Sequence, residues 1–278
     1  MSPPRLVGVG VGPGDPQLLT LAGLAEFRAA SRIFVPVLAA GLQGRAETVV
    51  RAHLGDADGR IERLNFALND DIHGSQRRRH DAWDEAASAV AEHLRAHGGS
   101  VAFATLGDPN VYSTFGYLAG TVRELLPEVE VRTVPGITAM QAAASAAGIT
   151  LTEGAEPLTL LPMTRDTAPL RDALHAGGTV VAYKGGRRIG ELYRRIEEAG
   201  AVERAVYAEH LGTPDERVLP FSGLKDEMAD DSGANENGTD ENGTGENGTD
   251  ESRTEVDGRP YLSTVVVVPD RKGRGEQL

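Results

Sequence analysis

With 278 residues and 40% hydrophobic content, the chain can bury one large core or two ordinary ones, and the absence of cysteine excludes disulfides, thiolate metal ligands and a cysteine nucleophile together. The formal charge of −13 is local: residues 226–257 carry twelve Asp and Glu against Arg253 alone, so the remainder is nearly neutral and offers no basic field for a nucleic-acid backbone. The opening MSPPRLVGVGVGPGD lacks the basic start and unbroken apolar run of a signal peptide, and no later segment reaches membrane-spanning length, so the expectation is a soluble, cytoplasmic protein without nucleic-acid or membrane partners.

Leu6 to Gly10 is a short apolar run ending in glycine, which reads as a buried strand. Leu18 to Ala30 follows with helical spacing, its apolar stripe expected at Leu18, Leu21, Ala25 and Ala29. Ile33 to Val37 repeats the strand pattern, Ala46 to Leu54 reads as a helix and Ile61 to Phe66 as a strand. Arg78 to His97 is the longest helical stretch, with Trp83, Ala86, Ala87, Val90, Ala91 and Leu94 along one face. Val101 to Leu106, a helix over about Thr114 to Leu126, and Val129 to Val134 complete a first series. Strands alternating with helices predict a mainly parallel sheet covered on both faces.

Pro135 and Gly136 interrupt that series, and a second begins. Thr138 to Ala147, Ala168 to His175 and Ile189 to Ala199 read as helices; Leu158 to Pro162, Thr179 to Tyr183, Ala205 to Tyr207, Arg217 to Phe221 and Leu262 to Val268 read as extended. The late strands have no helices between them, which predicts an antiparallel portion. The expected organisation is α/β, with one domain over 1–134 and a second over 135–278. The segment 226–257 belongs to neither, because its Asn-Gly-Thr-acid repeats offer almost nothing apolar to offset the entropy of ordering, and it is expected to be a disordered insertion.

Chemistry is suggested first by Gly8-Val9-Gly10-Val11-Gly12-Pro13-Gly14-Asp15-Pro16, between the first strand and first helix. Glycines there let a backbone turn tightly and approach a ligand closely. A dinucleotide fingerprint starting at Gly8 would need glycine at position 13, where this chain has Pro13, and an acid near the end of the second strand, which here reads Ile33-Phe34-Val35-Pro36-Val37. A nicotinamide site is therefore excluded. Two further loops, Thr105-Leu106-Gly107-Asp108-Pro109-Asn110-Val111-Tyr112-Ser113 and Val134-Pro135-Gly136-Ile137-Thr138-Ala139, also follow strands, at the edge where open parallel sheets collect ligands. Each loop alone could equally be an ordinary turn.

Taken together, GVGPGDPQLLTLAG, TLGDPNVYSTF and VPGITAMQAAA, in that order and spanning almost the whole chain apart from the acidic insertion, resemble the tetrapyrrole methylases, the S-adenosylmethionine-dependent enzymes of sirohaem and cobalamin synthesis. Within that family, IFVPV, the AWDEAA segment around Trp83 and TLGDPNVYSTFGYL most resemble the precorrin-2 C(20)-methyltransferases. The resemblance implies two α/β domains with S-adenosylmethionine in the cleft between them, usually in a homodimer, and methyl transfer to carbon 20 of precorrin-2 or its cobalt form. Pro13 would lie beside the substrate trough, and Gly107, Asp108 and Val111 would hold the amino-acid and ribose portions of the donor. Thr138 and Ala139 would bind it through their backbone, Tyr183 would lie against adenine, and Ala208 and Thr264 would add contacts. For Tyr183, simple core packing stays open as the alternative. Uroporphyrinogen methylases resembling this chain carry an aspartate at the end of the second strand; Pro36 stands there here, so carboxylate-assisted chemistry from that point is excluded. A methylase acting on another carbon or on modified elongation factor, or a non-catalytic donor- or tetrapyrrole-binding relative, is the competing reading.

A sulfonium already activates its methyl group, so transfer needs an in-line approach by an electron-rich carbon and no metal, and orientation alone can lower such a barrier by about 7 to 11 kcal/mol. The general base is left unassigned, with Asp108, Tyr112 and His73 as candidates. Arg77, Arg78 and Arg79 open a helix, where positive charge opposes the macrodipole, so they are either cations waiting for substrate carboxylates or a solvated face. His93 and His97 are four apart on a helix, as a metal pair would be, but without a third ligand in the pattern they read as a polar outer face.

Overall fold

The alternating pattern produces ten strands and seven α-helices among the residues described by the computed structural model, which are 3–37, 43–55, 59–66, 76–163, 167–225 and 262–271, with 76–79 and 187 described as backbone only. The expected insertion at 226–257 and the candidate base His73 lie outside them. The chain divides into two compact units, Met1–Ala139 and Met140–Leu278.

In the first unit, β1 (Arg5–Gly10), β2 (Arg32–Val37), β3 (Ile61–Asn65), β4 (Ser100–Thr105) and β5 (Glu130–Val134) form one sheet in the order β3-β2-β4-β1-β5, every pair parallel. Leu6 to Gly10 are all buried, as a central strand covered on both faces requires. One face packs Leu6, Phe34 and Phe103 against α3 (Gln76–His97) and α4 (Phe115–Leu125). The other packs Val7, Val9 and Val35 against α1 (Leu21–Ala29) and α2 (Arg45–Leu54).

The stripe expected for the first helix is corrected. Leu21 is 87% exposed and Ala25 and Ala29 are exposed as well, whereas Gly23, Phe27 and the following Ala30 are buried. Leu18 falls in a preceding 3-10 turn, Pro16–Leu18, and the α-helix starts only where the Thr20 hydroxyl accepts the Gly23 N–H at 3.0 Å. Burying the Phe27 ring outweighs burying two alanines, and Gly23 lets that face close on the sheet, since a Cβ there would stand 2.9 Å from Val9. Arg60 closes the helix at its other end by donating to the carbonyls of Phe27, Arg28 and Ala30.

In the second unit, β6 (Leu158–Pro162), β7 (Thr179–Tyr183), β8 (Ala205–Glu209), β9 (Arg217–Pro220) and β10 (Ser263–Val267) form a sheet in the order β6-β7-β10-β8-β9. Only β6 and β7 are parallel; the strands that follow without helices between them pair antiparallel. One face of this sheet packs Val180, Ala182, Tyr207, Val265 and Val267 against α6 (Ala168–Ala176) and α7 (Ile189–Glu198). The remaining helix, α5 (Ala139–Ala147), begins at the division between the units. No helix among the described residues is long and apolar enough to cross a membrane.

Candidate functional site

β1 lies between β4 and β5, and parallel strands share a C-terminal edge, so the three small-residue loops leave the first sheet side by side. Their backbones touch. Val11 donates to the Thr105 carbonyl at 2.9 Å, and Gly107 donates to the Gly12 carbonyl at 2.7 Å. A Cβ at Gly136 would sit 2.1 Å from the Gly107 oxygen, and one at Gly10 would sit 2.6 Å from both that oxygen and the Gly136 nitrogen. Gly10 and Gly136 are thus required to lack a side chain where the three loops meet.

Gly107 is different. Its φ of 70° is the left-handed conformation, but a Cβ there would meet nothing within 4 Å. The space beside it is open, and a side chain would occupy it.

Asp108 is 8% exposed and works inside this junction. One carboxylate oxygen accepts the Asn110 N–H at 2.8 Å and the other accepts the Gly136 N–H at 3.0 Å, tying the second loop to the third. Behind it the Thr105 and Ser113 hydroxyls are 2.8 Å apart, and Ser113 accepts the Phe115 N–H at 3.1 Å, which starts α4. The Phe115 ring lies over Gly8, where a Cβ would come within 2.5 Å of it.

Among the expected donor contacts of the first unit, Pro13 and Thr138 are buried, whereas Val111 and Ala139 are partly exposed. Gly107, Asp108 and Val111 share one loop, and Thr138 and Ala139 lie two and three residues after Gly136. The expected contacts of the second unit form a single row: Tyr183 on β7 is opposite Thr264 on β10, which is opposite Ala208 on β8. Directly opposed residues point to the same face, so these three share the face away from the α6 and α7 core. The Tyr183 hydroxyl accepts the Met140 N–H at 3.2 Å, satisfying one of the free donors in the first turn of α5.

Two of the three base candidates can be compared. Asp108 spends both oxygens on backbone N–H groups. Burial pushes the Tyr112 phenol above its ordinary pKa, so at neutral pH it is protonated and acts as a donor. Arg77, Arg78 and Arg79 do fall in the first turn of α3, but their side chains are outside the described residues. His93 and His97 stack with ring centroids 4.5 Å apart; His93 bonds to Ser31 and His97 to the His93 carbonyl. Among the described residues no group of three or more His, Cys, Asp or Glu is placed to hold a metal ion.

Sequence reasoning found the loops but missed the mutual contact of Gly10, Gly107 and Gly136, for which the only signal was glycine at the end of each strand. Nor does the sequence show that Tyr112, Lys184 and His210 take φ of 48°, 62° and 52° without being glycine. Side-chain identity carries no mark of such strain.

A family model described as Tetrapyrrole (Corrin/Porphyrin) Methylases matches residues 5–223. The chain is 37% identical over 163 residues to a protein of Methanocaldococcus jannaschii named "Probable cobalt-precorrin-2 C(20)-methyltransferase", covering 58% of this chain and 65% of the relative, so it spans just under two thirds of that relative's length. It is 32% identical over 208 residues to a precorrin-2 C(20)-methyltransferase of Sinorhizobium sp, covering 74% and 83%. The fold is similar to that of uroporphyrin-III C-methyl transferase from Thermus thermophilus complexed with S-adenosyl homocysteine, with a TM-score of 0.57 at 20% identity over 95% of this chain and 97% of the other.

Proposed function

We propose that this chain, which belongs to the tetrapyrrole (corrin/porphyrin) methylases, transfers the methyl group of S-adenosylmethionine to carbon 20 of precorrin-2 or of its cobalt form. The observation that carries the reading is the glycine junction. Gly10, Gly107 and Gly136 bring three strand-end loops into backbone contact, and the space beside the Gly107 Cα is open to a ligand. The names of the archaeal and bacterial relatives supply the carbon and the ring.

In this reading Gly107, Asp108 and Val111 hold the amino-acid and ribose portions of the donor, and Thr138 and Ala139 add backbone contacts. Tyr183, Thr264 and Ala208 take the adenine, and Pro13 borders the ring. When bound, the donor supplies a methyl group already activated by its sulfonium. The protein's task is then orientation, worth about 7 to 11 kcal/mol where two reactants are well aligned. Asp108 keeps two of the loops in register while its oxygens stay engaged, and Tyr112, held protonated, can donate to the ring but is poorly suited to removing its proton. The base is therefore assigned to neither.

Arg77, Arg78 and Arg79 are read as partners for the ring's carboxylates, because cations at a helix start are relieved by an anion. The homodimer implied by the family resemblance and the cytoplasmic location expected from the sequence belong to the same reading; sedimentation of the purified protein tests the first. The reaction itself is tested by supplying precorrin-2 and cobalt-factor II in turn with methyl-labelled donor and weighing the product by mass spectrometry. One added methyl on either ring is expected. Tight donor binding with no transfer to any ring would identify a sensor instead.

A further inference from the structure

Phe, Tyr and Trp make up 13 of 278 positions, yet two of them, with a histidine, stack at one place on the first unit. Trp83 on α3 stacks on Tyr117 in the first turn of α4, with ring centroids 4.7 Å apart and planes 19° from parallel. His80 stacks on Trp83 at 5.7 Å and 30°. The Trp83 indole N–H donates to the Phe66 carbonyl at 3.2 Å, which fixes the ring, and Trp83 packs against the core beneath it. Tyr117 is 61% exposed, and Tyr112 in the preceding loop is 45% exposed.

Position gives this tier its meaning. α4 follows the parallel strand β4, so its first turn, with Tyr117, stands at the C-terminal edge of the sheet, where the glycine junction lies, and Trp83 reaches the same edge by bonding to Phe66, the residue after β3. Phe115 turns inward over Gly8, so Tyr117, two residues on, faces outward. Tyr112 is held at φ 48°, a conformation that costs a non-glycine residue free energy and that glycine would adopt freely. Tyr117 therefore presents its ring on a fixed indole, and Tyr112, in the loop that leads into the same helix, presents a second exposed ring at a backbone position glycine would adopt freely.

Resting on the methylase reading, we propose that Tyr112 and Tyr117, supported by Trp83 and His80, form a stacking ledge for the flat conjugated ring of the tetrapyrrole substrate, and that the ledge determines ring affinity without touching the methyl donor. Offset stacking on an aromatic face suits a macrocycle whose edge carries the charges and whose faces are apolar. These residues position the substrate.

Trp83 is the only tryptophan in the chain, so its emission reports on this place alone. Cobalt-factor II is titrated into the full-length protein while tryptophan emission is followed, and S-adenosylhomocysteine affinity is measured in parallel by calorimetry. Tyr117→Ala is expected to weaken ring binding by roughly tenfold, with donor affinity unchanged and Tyr117→Phe close to wild type. Tyr112→Gly is expected to raise thermal stability while raising the Michaelis constant for the ring. Wild-type ring affinity in both Tyr117→Ala and Tyr112→Gly overturns the ledge and leaves the methylase reading standing. A wild-type protein that binds the donor product but no ring overturns both.

Discussion

The Asp108 carboxylate and the Gly136 amide, 28 positions apart, are joined by a 3.0 Å hydrogen bond that fastens the loop after β4 to the loop after β5. Its other oxygen holds Asn110 N–H, so Asp108 stabilises the shape of the site as well as lying beside it. Asp108→Asn turns one acceptor into a donor, which then opposes one of those two N–H groups. A buried unsatisfied donor costs about 1 to 3 kcal/mol, and thermal unfolding should register a loss of that size. Calorimetry with S-adenosylhomocysteine should show weaker binding in the same variant; a stability loss with unaltered affinity would make Asp108 a strut only.

The glycines of the junction separate into two kinds. Gly136→Ala places a methyl group 2.1 Å from a backbone oxygen that cannot swing aside, so the loops must move and the folded protein should be destabilised by about 1 to 3 kcal/mol or more. Gly107→Ala meets no atom and carries only the strain of its positive φ, about 1 to 2 kcal/mol. Its effect on donor affinity should exceed its effect on stability, the reverse of Gly136→Ala. Melting temperature and donor affinity measured on both variants check the contrast.

How far this was legible in the sequence depends on which interaction decides each feature. Buried runs such as Leu6 to Gly10 and the Ala86, Ala87, Val90 and Leu94 stripe are written in apolar periodicity, and the structure buries them. The face of α1 was misread because four small or aliphatic residues outvoted one phenylalanine in a pattern count, while packing is settled by the size of the Phe27 ring and the closeness allowed at Gly23. The loops were visible through their glycines, but the Asp108 to Gly136 bond and the row of Tyr183, Thr264 and Ala208 depend on strand order and register. Neither leaves a trace in local spacing.

The row in the second unit makes its own prediction. Tyr183→Phe removes an acceptor from Met140 N–H and should cost about 0.5 to 1.5 kcal/mol in stability while leaving the aromatic ring itself intact. Ala208→Leu adds bulk to the shared face and should weaken S-adenosylhomocysteine binding far more than Tyr183→Phe does. Equal affinities in the two variants would remove this row from the donor site.

Acid stability should depend on Glu47. Its side chain is fully buried on α2, where burial alone would raise the pKa; hydrogen bonds from Arg63 at 2.6 Å and Arg51 at 2.7 Å outweigh that, and the net shift is downward from 4.5. A carboxylate whose folded pKa lies below its unfolded value contributes stability above the unfolded value and loses it as pH falls through the folded one. Denaturant midpoints should therefore drop below about pH 4.5 in the wild type. Glu47→Gln should be less stable at pH 7 and show a flatter acid limb.

The carbon that receives the methyl group distinguishes this methylase from others of its fold, and carbon NMR locates it. Purified protein is incubated with carbon-13 methyl-labelled S-adenosylmethionine and either precorrin-2 or cobalt-factor II, and the product is examined by carbon NMR. One labelled methyl, attached to carbon 20, is expected on at least one of the two rings. A labelled methyl on any other carbon would contradict carbon-20 transfer.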